Sequence, residues 1–128
     1  MFTGITHTSM LVNDYDEALK WYTEVLGLEP RSNETMPGTD NRWVTVGVPG
    51  QNVEIVLHLA GGGPGGQTAE AGQSPGVVIS TNDCEGDVDA LRARGATIAM
   101  GPERQMWGTQ AVVLDLYGNP LVLVQPPA

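Results

Sequence analysis

Polar and apolar residues alternate along several short stretches of the chain, and this alternation is the pattern of β-strands that bury one face. In 42–48, valines stand at 44, 46 and 48 and alternate with Trp43, Thr45 and Gly47. The stretch 28–36 has the weakest alternation of those that we interpret as strands. The predicted strands are 5–12, 28–36, 42–48, 52–59, 76–81, 96–100, 109–116 and 120–125.

Two stretches instead place apolar residues at helical spacing and carry the signals that begin and end a helix. In the first, Asp14 suits the N-cap, Glu17 follows three residues later as in a capping box, and Gly27 suits the left-handed residue that ends a helix. In the second, Asp83 suits the N-cap and Gly95 suits the left-handed residue that ends the helix. Each half of the chain therefore predicts the order β-α-β-β-β.

The two halves resemble each other at a nearly constant distance along the chain. An Asn-Asp pair stands at 13–14 and again at 82–83, an offset of 82 − 13 = 69, and Gly50 and Gly118 are offset by 118 − 50 = 68. This repetition indicates a duplicated module of about 60 residues. We predict one structural domain with a first module in 1–60, a flexible Gly- and Pro-rich linker in 61–75 and a second module in 76–128.

Composition and charge narrow the classes of partner. Six lysines and arginines against fifteen aspartates and glutamates give a formal net charge of −9, which opposes binding to nucleic acid and to anionic membranes. The same charge favours a cationic or neutral ligand, or it serves only to keep the protein in solution. The chain shows no apolar run of about 20 residues and no secretory signal, and it has a single cysteine, Cys84, so we expect a cytoplasmic protein.

The alternation also predicts which side chains share the strand face that is turned away from the helices, because successive strand residues point to opposite faces. In the first module this face is half polar, whereas in the second it is largely apolar. The polar positions of the first module are His7, Ser9, Thr45, Glu54 and His58, with Trp43 beside them. The matching positions of the second module are Gly76, Val78, Ala111, Val113, Val122 and Val124, with Ser80 and Asp115 as the polar members.

Two segments of this chain resemble the vicinal-oxygen-chelate superfamily, the group of glyoxalases, bleomycin-resistance proteins and dioxygenases. They are "ITHTSMLVNDYDEALKWYTEVLGLEP" and the closing "LDLYGNPLVLVQPP", and the resemblance extends over nearly the whole chain. It implies an α+β fold in which two βαβββ modules form a cup from curved mixed sheets. It also implies a homodimer in which modules of both chains complete each site.

Metal-dependent members of that superfamily place four ligands in the cup, one on the first and one on the last strand of each module. The resemblance transfers two of them, His7 and Glu54, but Gly76 and Val122 stand at the other two positions. Two protein ligands make a weak site, so we expect no metal, no other cofactor and no catalytic residue. If a metal binds, His7 and Glu54 hold it. The alternatives are a buried hydrogen-bonded pair of these two residues, or two exposed side chains.

Large flat side chains and methionines at a cleft suit a flat or conjugated ligand. Trp43 and Trp107 are the candidates, with Met36 and Met106 in loops nearby; the alternative is that both tryptophans cover sheet edges or a dimer seam. The predicted ligand-binding residues are His7, Ser9, Met36, Trp43, Thr45, Glu54, His58, Met106, Trp107, Val113 and Val122.

Within the superfamily the chain is most similar to the branch that binds antibiotics, which includes bleomycin-type and enediyne-type self-resistance proteins. The resemblance therefore implies a homodimer that sequesters a bulky hydrophobic or cationic natural product without changing it. A second hypothesis is a glyoxalase-like lyase, epimerase or dioxygenase with an atypical metal site. A third is a structural dimer whose pocket has no ligand.

Overall fold

The computed structural model describes residues 1–39, 41–60, 71–72 and 74–127. Most of the predicted linker, 61–70 and residue 73, lies outside these residues. Within them, the chain forms two α-helices, one π-helical turn and eight strands. The strands are β1 (His7–Val12), β2 (Glu29–Thr35), β3 (Arg42–Gly47), β4 (Glu54–Leu59), β5 (Val77–Ser80), β6 (Thr97–Gln105), β7 (Gly108–Leu114) and β8 (Pro120–Gln125), and the helices are α1 (Tyr15–Lys20) and α2 (Cys84–Ala93), with the π-helical turn in Trp21–Val25.

The strands form two four-stranded sheets with the same topology, which we call sheet A and sheet B. The strand order is β1-β4-β3-β2 in sheet A and β5-β8-β7-β6 in sheet B. The pairs β1–β4 and β5–β8 are parallel and the other neighbours are antiparallel, so both sheets are mixed. This confirms the predicted α+β fold of two βαβββ modules with open, curved sheets.

Both helices begin where the sequence predicts. The Asp14 carboxylate accepts a hydrogen bond from the backbone N–H of Glu17, and the Asp83 carboxylate accepts one from Gly86. Each therefore satisfies a backbone donor that has no partner within the helix. Gly27 and Gly95 have φ of +87° and +91°, the left-handed region that a glycine enters at little cost. The helix-ending role of both glycines is confirmed.

The first helix departs from the prediction in its second half, where it widens into the π-helical turn. The Leu26 N–H bonds to the carbonyl of Trp21, five residues back, and the Thr23 hydroxyl donates to the carbonyl of Leu19 at 2.8 Å. Such a side-chain bond competes with the regular backbone ladder. None of the helices in the described part of the chain is long and apolar enough to span a bilayer.

Each helix packs on one face of its own sheet, and the two cores meet between the modules. Residues that contact both clusters are Trp21, Leu26 and Ile79. The first cluster is built on the strand positions that alternation selects as inward: Met10, Val12, Val44, Val46, Ile55 and Leu57. The second contains Cys84, Val88, Leu91, Ala96, Ala111, Val113 and Leu123. The predicted inward face of the first module is therefore confirmed.

The side chain of Asn119 joins the modules in the interior. It is fully buried, and its amide nitrogen donates to the carbonyl of Leu11 on β1 at 2.7 Å and to Asp115 at 2.9 Å. Its amide oxygen accepts from the backbone N–H groups of Gly72 and Ser74. One side chain thus holds an edge of the first module, the turn before β8 and the segment that leads into β5.

The predicted face of Val113 was wrong. Val113 and Ala111 are fully buried in the cluster under α2, so they face the helix rather than the open side of sheet B. Asp115 is on the helix side as well, where its carboxylate accepts a 2.7 Å hydrogen bond from the Tyr22 hydroxyl of the first module. The reason is that "AVVL" in 111–114 is apolar at every position, so its pattern does not distinguish one face from the other.

Strand β6 continues five residues beyond its predicted end at residue 100, and it turns into β7 through Met106 and Trp107. The predicted loop before Trp107 is therefore mostly strand, and Trp107 stands at the tip of a hairpin. Met36 occupies a comparable place in the first module, where its N–H bonds to the carbonyl of Asn41 across the β2–β3 turn.

Candidate functional site

The open face of sheet A, which is the face turned away from α1, collects the polar residues predicted for it. His7 and Glu54 are direct neighbours on the parallel strands β1 and β4, and Thr45 on β3 lies opposite Val56 of β4. His58 lies opposite Leu11 at the other end of β4. Ser9 is on the same face of β1 as His7. The side chains that the alternation assigned to one strand face therefore lie on one surface of sheet A.

Glu54 is at the centre of this surface and is bound by its neighbours. Its carboxylate accepts a 2.6 Å hydrogen bond from the Thr45 hydroxyl, and Thr45 is fully buried. The Nε2 atom of His7 lies 3.8 Å from the same carboxylate oxygen, Oε1. The other oxygen, Oε2, lies 4.0 Å from a guanidinium nitrogen of Arg31. Glu54 is therefore a half-buried acceptor with polar neighbours on both sides.

Arg31, on β2, is a member of this site that sequence reasoning missed. Its guanidinium donates to the carbonyls of Val48 and Gln51, both at 2.8 Å, and to the Glu29 carboxylate at 2.7 Å. It lies directly over Gly47, where a Cβ atom would be 2.7 Å from the Arg31 Cζ. The signal that was available is the glycine inside the otherwise regular strand 42–48, because such a glycine often marks a close approach of another group.

Replacing Arg31 tests how much its hydrogen bonds to the β3–β4 turn stabilise the protein. We expect Arg31→Ala to lower the free energy of unfolding by about 1.5–3 kcal/mol, because two carbonyls and a carboxylate lose a charged donor. Arg31→Lys should recover little, since an ammonium group cannot reproduce the planar fork. Urea unfolding measures the change, and Arg104→Ala, at an exposed arginine, is the control. Equal stability of Arg31→Ala and Arg104→Ala would contradict this role.

Trp43 provides an aromatic wall beside the polar residues. Its ring centroid lies 5.4 Å from that of His7 in an edge-to-face arrangement. The Nδ1 atom of His7 lies 2.8 Å from the Thr6 hydroxyl oxygen, and the two groups share a hydrogen bond. His7 is thus held between a hydroxyl, an indole and a carboxylate. Met36 is half-buried at the turn that precedes β3.

His58 has a different environment from His7. Burial lowers the pKa of His58 from its ordinary value, since desolvation disfavours the charged ring. In the unfolded chain the pKa is about 6.5, so the unfolded chain takes up this proton more readily than the folded protein. The stability that neutral His58 contributes is therefore present above pH 6.5 and is lost as the pH falls below it.

This sign gives a pH prediction. Between pH 7.5 and pH 5 the wild-type protein should lose more unfolding free energy than His58→Gln, because glutamine does not titrate. Urea unfolding at four or five pH values measures the difference. Parallel pH profiles of the two proteins would show that the environment of His58 does not penalise its protonation.

The open face of sheet B is largely apolar. Val122 lies on it, and its direct neighbours on the adjoining strands are Val78 and Val112. Val78 is 68% exposed, and the hairpin tip of the same sheet exposes Met106 (94%) and Trp107 (56%). The Trp107 indole N–H donates to the Gln110 side chain at 3.0 Å. Among the hydrogen bonds and ion pairs of the described residues, none joins these side chains to the polar residues of sheet A.

The register corrects one detail of the predicted ligand positions. Val122 pairs with Val78, not with Gly76, whose backbone adjoins Pro120 instead. The counterpart of the His7–Glu54 pair is therefore a pair of valines.

These residues do not fit the metal site of the superfamily. Val78 and Val122 offer no donor atom, and the Glu54 carboxylate already lies beside the Arg31 cation. In the described residues no group of three or more histidine, cysteine, aspartate or glutamate side chains is arranged to hold a metal ion.

The chain belongs to the Glyoxalase/Bleomycin resistance protein/Dioxygenase superfamily, whose family model matches residues 4–123. An uncharacterized protein of Shewanella frigidimarina is 33% identical over 98% of this chain and 95% of its own length. TnmS3, an antibiotic binding protein from Streptomyces sp. CB03234, has a crystal structure similar to this fold, with a TM-score of 0.84, 28% identity and 98% of each chain covered. A glyoxalase/bleomycin resistance protein from the same Streptomyces strain has a TM-score of 0.79 and 30% identity, over 95% of this chain and 100% of its own.

The superfamily to which this chain belongs thus includes proteins that bind antibiotics.

Proposed function

We propose that this chain is a non-catalytic small-molecule-binding protein, which acts in the cytoplasm as a homodimer and sequesters a bulky hydrophobic or cationic natural product. The observation that carries the proposal is the contrast between the two open faces. One presents a glutamate held by Thr45 beside His7 and Trp43, and the other presents valines where a metal site would need donors. Small-molecule sites have this composition, mostly apolar with a few placed polar groups.

The surroundings of Glu54 favour binding over metal catalysis. A divalent ion at Glu54 would lie within a few ångströms of the Arg31 guanidinium. The repulsion between these two positive charges would weaken binding of the ion. A ligand hydroxyl, amide or amine can instead donate to the remaining lone pairs of the carboxylate. His7 can offer a second polar contact, and its ring already lies against Trp43.

The apolar partners of the ligand are the tryptophans, methionines and valines of the open faces. Trp107 and Met106 stand exposed on the hairpin of sheet B, and Trp43 lies on sheet A. Indole faces can stack on a flat conjugated ring system, and methionine adapts to irregular shapes. We propose that the site uses the predicted residues with two changes: Val112 takes the place of the buried Val113, and the buried Thr45 acts by holding Glu54 and makes no contact with the ligand. The similarity to TnmS3, an antibiotic binding protein, supports an antibiotic as the ligand.

Titration of tryptophan fluorescence with a panel of polycyclic and cationic antibiotics tests the proposal. We expect saturable quenching at one ligand per protomer for at least one compound. Trp43→Phe should reduce the quenching amplitude, and Glu54→Gln should weaken cationic ligands more than neutral ones of similar shape. Chemical conversion of a bound compound at a rate above that of the buffer control would favour the alternative, an enzyme of the glyoxalase or dioxygenase kind.

A further inference from the structure

One nitrogen of the Arg31 guanidinium makes no hydrogen bond within the described part of the chain. A guanidinium carries five N–H donors. Three of them are used, because Nε donates to Glu29 and Nη2 donates to the carbonyls of Val48 and Gln51. The remaining nitrogen, Nη1, lies 4.0 Å from the Oε2 atom of Glu54, which is too far for a hydrogen bond. Two donors of Arg31 can therefore bind a group from outside.

The two oxygens of the Glu54 carboxylate differ in the same way. Oε1 accepts a hydrogen bond from the Thr45 hydroxyl, whereas Oε2 accepts none from the described residues. Across the same residues, every fully buried side-chain nitrogen or oxygen has a hydrogen-bond partner. Nη1 of Arg31 and Oε2 of Glu54 have no such partner, so both atoms reach the solvent.

Both atoms belong to the open face of sheet A. Glu54 lies on this face beside His7, and Gly47 is its direct neighbour on β3. Arg31 occupies the space that a Cβ atom at residue 47 would need, so its guanidinium lies over the same face. The side chains of Arg31 and Glu54 are only 19% and 24% exposed. At such a shielded place, a ligand that leaves either group without a partner is penalised.

A donor and an acceptor side by side define the complementary edge of a ligand. Nη1 can only donate and the ionised Oε2 can only accept, so the ligand must present an acceptor next to an N–H or O–H group. A lactam has this edge, with its oxygen about 2.2 Å from its nitrogen by standard amide dimensions. Spanning the 4.0 Å between Nη1 and Oε2 then splays each hydrogen bond by less than about 20°, which keeps it within the favourable range.

The same arrangement disfavours a cationic group at this place. A ligand cation in contact with Oε2 of Glu54 also lies close to the Arg31 guanidinium, so attraction by one charge is opposed by repulsion from the other. The net charge of −9 acts over a longer range and is screened by salt. The local ion pair therefore selects the hydrogen-bonding pattern of a ligand rather than a positive charge.

We infer that Arg31 and Glu54 together determine specificity, and that they select a flat neutral ligand of the lactam or imide class, in which a carbonyl adjoins an N–H group. Nη1 of Arg31 donates to the ligand carbonyl, and Oε2 of Glu54 accepts from the adjoining N–H. Trp43, which lies against His7, supplies an apolar wall for the flat ring system. This inference rests on the proposed function and narrows its hydrophobic or cationic ligands to neutral ones.

Four flat tricyclic probes of nearly equal size separate the possible ligand edges. Phenanthridinone is the lactam, N-methylphenanthridinone lacks the donor, benzocinnoline presents two adjacent acceptors, and N-methylphenanthridinium is a cation. Calorimetry at about 0.15 M salt measures their dissociation constants, since surface charges are then largely screened. We expect phenanthridinone to bind the wild-type protein about 10-fold or more tighter than each of the other three, because only this compound satisfies both groups.

Glu54→Gln should reverse this preference. If Thr45 still donates to the side-chain oxygen, the amide nitrogen takes the place of Oε2, and the edge then presents two donors. Benzocinnoline should therefore bind this variant about 10-fold or more tighter than phenanthridinone does. Glu29→Gln is the matched control, because it removes the same charge beside the same arginine, at Nε, and leaves the ligand edge unchanged. It should keep the wild-type order of the four compounds.

Arg31→Met removes the other half of the edge at similar side-chain length and should weaken phenanthridinone about 10-fold. Circular dichroism checks the fold of each variant, and the comparison of Glu54→Gln with Glu29→Gln decides alone if Arg31→Met does not fold. Equal affinities of the lactam and its N-methyl derivative, tightest binding of the cation, or an unchanged order in Glu54→Gln would overturn the inference and leave sequestration standing. Binding of none of the four compounds would overturn it as well, and the antibiotic titration would then decide the proposed function separately.

Discussion

Asn119→Ala should lower the free energy of unfolding by about 3–5 kcal/mol, a large part of the stability of a domain of this size. The side chain is fully buried and bonds to Leu11, Asp115, Gly72 and Ser74. Alanine leaves the buried Leu11 carbonyl, the buried Ser74 N–H and the partly buried Gly72 N–H without partners, and each unsatisfied buried group costs about 1–3 kcal/mol. Urea unfolding followed by circular dichroism measures the loss.

The internal repeat provides a matched control for Asn119. Gln51 follows Gly50 in the first module as Asn119 follows Gly118 in the second, since 119 − 68 = 51. Gln51 is exposed, however, and it accepts the hydrogen bond from Arg31 with its backbone carbonyl. Gln51→Ala should therefore change the stability by less than about 0.5 kcal/mol. Similar losses for Asn119→Ala and Gln51→Ala would show that Asn119 does not hold the modules together.

The second large effect concerns two neighbouring residues on opposite faces of β7. Val113→Asp should unfold the protein or cost more than about 4 kcal/mol, because a carboxylate would enter the fully buried cluster under α2. Val112→Asp, on the open face of sheet B, should cost about 1 kcal/mol, which is the range of strand propensity at half-exposed sites.

A milder pair keeps this comparison measurable if Val113→Asp does not fold. Val113→Thr and Val112→Thr make the same nearly isosteric change, and the buried hydroxyl at 113 should cost at least 1 kcal/mol more than the one at 112. In either pair, a greater loss of unfolding free energy for the substitution at 112 than for the one at 113 would contradict the faces described for sheet B.

Strands with clear alternation could be assigned to a face from the sequence. In 42–48 and 52–59 polar and apolar residues largely alternate, with Val56 as an exception, and the inward residues Val44, Val46, Ile55 and Leu57 lie in the core as predicted. The run 111–114 lacks this contrast, so Val113 was assigned to the wrong face. The helix caps Asp14 and Asp83 were predictable for a local reason, since their partners are three residues away.

Long-range contacts of the site were beyond the reach of the sequence. Arg31 contacts residues 17 and 20 positions away, and it comes from the strand with the weakest pattern. The bonds of Asn119 span up to 108 residues, and nothing in the local "YGNP" turn distinguishes a buried amide from an exposed one. The His7–Glu54 pair could be predicted from the sequence because both residues fall on regular strands of the same module and on one predicted face.

The central claim is that the two open faces bind a ligand and leave it unchanged. Its most direct test is to saturate chelator-treated protein with the tightest antibiotic of the fluorescence panel, to determine the stoichiometry by calorimetry, and to recover the compound for mass spectrometry. We predict one ligand per protomer, an affinity unaffected by the chelator, and recovery of the compound with its mass intact. Conversion of the compound, or binding that returns only when a divalent metal is restored, would contradict the account.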